Sequence, residues 1–202
     1  MFTPLQYQVS EYDCVPTALI NAVSYLFHRK EIPPMVIRHI YLYCLDTVGR
    51  NARFGIGGTS KYAVRLVGNW LNSYRMKSFA VSTEFIEKGD VSIHPEHKIN
   101  QCLEQDGVVL CNMLLTKKEE HYLMITGIDD HWVYCFDSYR RSFVRGMNKN
   151  VAVLDSQDGR GPNLKIRQEW FNRKKRERFC LGPVDIRESL LIWRNGGYHN
   201  KI

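Results

Sequence analysis

The 202-residue chain contains no Cys-x-x-Cys pair. Its six cysteines are Cys14, Cys44, Cys102, Cys111, Cys135 and Cys180, and their spacing is uneven. That pattern speaks against a structural zinc site and against a disulfide framework. No apolar run approaches the roughly 18 residues of a membrane span. The first residues, MFTPLQYQVSEYD, show neither a basic n-region nor an apolar h-region. Together these absences predict reduced thiols, no membrane partner and a cytoplasmic setting. Internal repeats and low-complexity segments are also missing. Disorder is excluded by composition, since 44% of residues are hydrophobic and 12% aromatic. The formal net charge of +7 is modest and owes part of its size to one local run near the end.

The length suits one domain with a real core, spanning 1–202. CVPTALINAVSYLF has helical spacing, with Pro16 where a first turn tolerates it. PPMVIRHIYLYCLDTV reads as a second helix opening at Pro33-Pro34. GIGGTSKYAVRLVGNWLNSY reads as a glycine loop and a third helix, capped by Thr59 or Ser60, with Val64, Val67 and Leu71 on one face. The pattern then changes. KSFAVS, GVVLCNMLL, HYLMITGI, HWVYCFDSY, NVAVLDS and SLLIWR read as strands, PEHKINQCLEQ and RQEWFNRKK as helices. SQDGRGPN is rich in turn formers and is expected to be the least ordered stretch. The prediction is an α+β domain: a mainly helical half, 1–76, packed on an antiparallel sheet from a mainly β half, 77–202.

One cysteine stands out. Cys14 lies where the first helix begins, and the positive end of a helix favours thiolate over thiol. A nucleophile needs a base, and the base needs an orienting group. His121 opens one strand and Asp137 ends the next. A hairpin turning at Asp129 and Asp130 brings the two ends together, because His121 and Asp137 are each eight residues from Asp129. Gln8, six residues before Cys14, offers an amide N–H beside the backbone N–H of Cys14 as an oxyanion donor.

The order Gln8, Cys14, His121, Asp137, with Asp13 just before the thiol, resembles the papain-like cysteine peptidases that remove double-glycine leaders from bacteriocins, cysteine-peptidase family thirty-nine. The resemblance is nearest to the bacterial stand-alone, soluble branch without transporter modules. It rests on QVSEYDCVPTALINAVSYL, GGTSKYAVRLVGNWLN, DGVVLCNML and HYLMITGIDDHWVYCFDSY, within residues 8–139. It implies a papain-like fold in which Cys14 is the nucleophile, His121 the base, Asp137 the orienter and Gln8 the oxyanion donor. It implies a peptide or peptide-like substrate and no metal or organic cofactor. Val15 departs from the pattern, since the leader peptidases usually carry glycine right after the cysteine.

Other signals have plainer readings. GIGGTSK lacks the P-loop order, because Lys61 follows Ser60; it reads as a helix-capping loop lining the substrate groove. His94 and His97 complete no metal site and fit a solvent-facing helix start. KIRQEWFNRKKRERF interleaves bases and aromatics, but a solvated amphipathic face with Trp170 and Phe171 buried explains it better than nucleic-acid binding. Two rivals to a hydrolase remain open: an acyltransferase or transpeptidase using the same acyl-thioester, and a non-catalytic peptide- or nucleic-acid-binding protein on the same fold.

Overall fold

The computed structural model describes residues 3–146, 149–156 and 158–195. Three helices come first: α1 (Cys14–Leu26), α2 (Pro34–Tyr43) and α3 (Lys61–Ser73). Strand β1 (Val81–Glu87), helix α4 (Lys98–Glu104) and strands β2 (Val108–Leu114), β3 (Glu120–Ile128), β4 (Trp132–Phe136), β5 (Val151–Val153) and β6 (Leu164–Arg167) follow. Helix α5 (Gln168–Phe171) and strand β7 (Glu188–Arg194) close the described chain. The seven strands form one sheet in the order β1-β7-β2-β3-β4-β6-β5, and every pairing is antiparallel. The molecule is therefore α+β, with the first three helices before residue 76 and the strands after it.

The sheet separates two cores. VVLCNML of β2 is buried at every position, and strand alternation divides it. Val108 and Leu110 join one core with residues of α1, α2 and α3. Val109, Cys111 and Met113 join the other with Ile99 and Cys102 of α4, Phe171 of α5 and Phe179. Helix α1 is buried nearly all round, from Val15 to Leu26, which marks a central helix rather than a surface one. Only its first residue, Cys14, keeps partial access to solvent among the six thiols. Helix α3 approaches β7 at Gly68, where a Cβ would come within 2.7 Å of Leu190 Cδ1. Its cap is Ser60, whose Oγ accepts from the Ala63 N–H, and its buried face carries Val64, Val67 and Leu71 as the periodicity predicts.

Several local expectations need correction. The second helix ends at Tyr43, well short of Val48; Leu45 adopts a left-handed φ of 60° and its N–H turns to Thr59 Oγ1. The strand expected at KSFAVS begins only at Val81 and runs on through polar residues to Glu87, because β7 supplies partners along that whole length. Strand β6 was masked in the sequence by its basic residues, yet Leu164 and Ile166 alternate into the core between β4 and β5. SQDGRGPN, apart from residue 157, which lies outside the described residues, forms the turns its composition predicts: Asp158 Oδ1 accepts from Arg160 and Gly161 N–H, and Gly159 O accepts from Leu5 N–H. The basic run does behave as a solvated face. Arg173 to Arg176 are exposed, Arg173 stacks over Trp170 and pairs with Glu177, and Phe171 is buried; Trp170, expected to be buried as well, is only half-buried, with its indole N–H turned to the Arg178 carbonyl.

Candidate active site

Helix α1 starts without a side-chain cap. Its N-cap Asp13 directs its carboxylate back to the Ser10 N–H, at 3.2 Å, and no acidic residue occupies the first turn. The leading N–H groups and the positive helix end are thus left to the first residue, which is Cys14. Val15 turns into the core, at 1% exposure, while its N–H contributes to holding the Cys14 thiolate. Its bulk is spent in packing.

The hairpin expected to join His121 and Asp137 is present, with a different register. Three residues, 129–131, connect the strands, and Asp129 Oδ1 accepts from the N–H groups of His131 and Trp132. A bulge at Thr126 shifts the ladder, so that Phe136 lies opposite Met124. Continued one step, this pairing sets Asp137 opposite Leu123, diagonal to His121 instead of directly across. Diagonal neighbours are still within reach of a long side chain. His121 Nε2 lies 2.7 Å from Asp137 Oδ1, in a contact where both side chains are almost fully buried. The second ring nitrogen, Nδ1, is left for Cys14, with which the imidazole shares a hydrogen bond.

Electrostatics follow from this chain of contacts. Burial alone would raise the Cys14 thiol, but the His121 hydrogen bond and charge, helped by the Tyr122 and Val15 N–H groups, bring it below the usual thiol range. Burial would lower His121, yet Asp137 and Cys14 lift it to about 9. Burial works against ionised Asp137 too, and His121 and Arg141 outweigh it, so its carboxyl is held below the ordinary range. The three shifts run in the sense that favours a thiolate beside an imidazolium beside a carboxylate. The other five thiols go the opposite way. Burial pushes Cys44, Cys102 and Cys111 up to about 12, and raises Cys135 and Cys180. Limiting iodoacetamide at neutral pH is expected to alkylate Cys14 well ahead of all five, by intact mass and peptide mapping. First labelling at Cys44 or Cys180 would refute the assignment of the thiolate.

Asp137 is positioned by residues that sequence reasoning missed. Arg141 Nε donates to Asp137 Oδ2 at 2.7 Å, and the guanidinium lies over the rings of Tyr139 and Phe179. The Tyr139 N–H donates to Oδ1. Asn163 pins the backbone: Asp137 N–H donates to its Oδ1 at 2.7 Å, and its Nδ2 donates to the Asp137 carbonyl at 2.8 Å. Arg141 carried a weak signal, a base four residues beyond an acid. Asn163 carried none, being 26 residues away in a turn-rich segment.

Gln8 joins the same region from the opposite end of the chain. Its N–H donates to the Ser138 carbonyl, and its Oε1 accepts from Ser138 Oγ at 2.8 Å. The amide is thereby oriented, and Nε2 donates one N–H to Ser10 O at 2.9 Å. Gln8, Cys14 and His121 line one cavity of about 1020 Å³, which the loop at residues 57–61 lines as well. That loop places no lysine for phosphate binding; Lys61 pairs with Glu87 at 3.0 Å. Four residues from two distant stretches of sequence thus converge: Cys14, His121 and Asp137 in one hydrogen-bonded row, and Gln8 at the cavity that Cys14 and His121 line. Compared with known protein families the chain matches no family model, and no curated protein matches it.

Proposed function

We propose that the chain is a thiol hydrolase of papain-like type, cleaving a peptide or peptide-like amide. The observation that carries this reading is the row from the uncapped start of α1: Cys14 bonded to His121, whose far nitrogen is held 2.7 Å from buried Asp137. A thiol paired with an imidazole that a carboxylate orients is the arrangement nucleophilic catalysis requires. A central helix laid against an antiparallel sheet, with thiol and imidazole meeting at its start, is consistent with a papain-like fold. The resemblance to leader peptidases points to the same chemistry.

In the proposed reaction the Cys14 thiolate attacks the carbonyl carbon of the substrate amide, and a C–S bond forms. The charge gathers on the carbonyl oxygen, which accepts from the Cys14 N–H and from the second N–H of Gln8 Nε2. The His121 imidazolium gives its proton to the leaving nitrogen as the C–N bond breaks. Water then attacks the thioester, neutral His121 takes its proton, and the C–S bond breaks to restore thiolate and imidazolium. Asp137 holds the ring in one orientation throughout and stabilises its charged form.

The test is hydrolysis of a peptide library by the protein and by Cys14→Ala. Loss of all cleavage in the variant, with an unchanged melting temperature, supports the reading. Cys14 is partly exposed at the cavity, so the loss of its sulfur should cost about 1 kcal/mol or less. Residual cleavage equal to that of the parent would sink it. Hydrolysis should also fall as pH rises through about 9, where His121 loses the proton it must donate, while alkylation of Cys14 should not fall over that limb. A hydrolysis rate that keeps rising to pH 10 would remove His121 from the role of acid.

A further inference from the structure

The cavity beside Cys14 has a second chemical centre, on the wall built by β2, β3 and β7. Glu188 opens β7 and is 8% exposed. The Tyr122 hydroxyl donates to Glu188 Oε1 at 2.5 Å. Asn112 Nδ2 donates to Glu120 Oε2 at 2.9 Å and lies 3.5 Å from Glu188 Oε1. One neutral amide thus bridges two carboxylates. Among the described residues neither Glu120 nor Glu188 belongs to an ion pair. Lys61 lines the same cavity but pairs with Glu87. Asn112 is 4% exposed, and its Oδ1 accepts no hydrogen bond from the described residues. Acceptors here outnumber donors, and at buried Glu188 an uncompensated charge is costly, whereas Glu120 is exposed.

Tyr122 also fixes the distance to the chemistry. Its backbone N–H helps to hold the Cys14 thiolate, and its phenol bonds Glu188. The thiol and the carboxylate are therefore separated by about one tyrosyl side chain, a span a lysyl or arginyl side chain can cover. We infer that Asn112, Glu120, Tyr122 and Glu188 form a subsite for a cationic side chain of the substrate, a lysine or arginine at or next to the carbonyl that Cys14 attacks. This specificity rests on the thiol-hydrolase reading. The protonation balance agrees with it. Burial raises the Glu188 carboxyl against the Tyr122 hydrogen bond; the charges of Glu120 and Glu87 raise it further and that of Lys61 lowers it. Burial and Glu188 push the Tyr122 hydroxyl well up, so it stays a donor. An arriving ammonium supplies the positive charge and the donors this wall lacks.

The experiment uses Cys14→Ala protein, which cannot react, titrated by NMR with N-acetyl-glycyl-lysinamide and with its norleucine analogue. The lysyl probe is expected to bind at least about ten-fold more tightly, as a charge-assisted hydrogen bond to a buried carboxylate implies. Adding Glu188→Gln should bring the two affinities together. Glu120→Gln, at an exposed position, should narrow the gap and decides the matter if Glu188→Gln does not fold. Equal affinities in the starting protein would overturn the subsite, as would a lysyl preference that survives both substitutions. Iodoacetamide labelling of the unsubstituted protein reads the nucleophile separately. Slow labelling of Cys14 alongside a kept lysyl preference would sink the hydrolase and leave the cationic subsite standing.

Discussion

Replacing His121 with alanine should lower hydrolysis of an amide substrate at least about ten-thousandfold, because residues that act as a unit fail together. The variant loses the proton donor to the leaving group. It also loses the main support of the thiolate, since burial of Cys14 is offset chiefly by the His121 hydrogen bond and charge. The thiol should return to at least its free range, about 8.5, leaving a few per cent thiolate at neutral pH and slowing alkylation accordingly. Gln8→Ala should behave differently. An oxyanion donor acts only on charge that develops during acyl transfer, so turnover should drop about a hundred- to a thousandfold with alkylation hardly changed. Gln8 also holds Ser138, the residue after Asp137. Ser138→Ala therefore serves as a control, removing one hydrogen bond to the amide while leaving Gln8 in place. If Gln8→Ala and His121→Ala slow alkylation equally, Gln8 helps to ionise or place the thiol, and the oxyanion role must be dropped.

Local pattern and short-range geometry carried most of this site into the sequence. The apolar spacing of residues 14–26 announced a helix, and Pro16 marked its first turn, so the position of Cys14 could be read directly. The strands around His121 and Asp137 were visible as two apolar runs joined by Asp129 and Asp130. The register was not visible. It depends on a bulge at Thr126 and on a third turn residue, His131, which no alternation pattern encodes. What was lost altogether is held by partners distant in sequence. Strand β1 extends as far as β7 pairs with it, over a hundred residues later. Asn163 reaches Asp137 from a stretch that looked like idle loop, and β6 hid in a basic run. The carboxylate pair at Glu120 and Glu188 was equally invisible, because it exists only when β2, β3 and β7 are side by side.

Asp137 should be the costliest residue of the row to remove. It is 1% exposed and accepts from two cationic groups, His121 and Arg141. Asp137→Ala leaves both without their carboxylate in a buried place, and such a break costs about 3–5 kcal/mol. Asp137→Asn keeps the shape and removes the charge. The folded-state carboxyl lies below its usual range, so its stabilisation is present at neutral pH and disappears as pH falls below about 3.8 through the folded value. His121 has the opposite sign. Raised to about 9, it contributes stability that is complete below about 6.5 and is lost as pH rises toward 9. Without the carboxylate the imidazole loses its strongest support, and burial then acts unopposed by Asp137. In Asp137→Asn the basic limb of hydrolysis should therefore move down from about 9 toward the free imidazole range, about 6.5. Denaturant midpoints at pH 5 to 6, where His121 is charged in both states, should separate Asp137→Ala from the parent by the full expected cost. Should the limb of Asp137→Asn remain near 9, the charge of Asp137 would not be what holds the proton on His121. The carboxylate would then be a fixture of the fold, shared with Arg141 and Asn163, and no part of the chemistry.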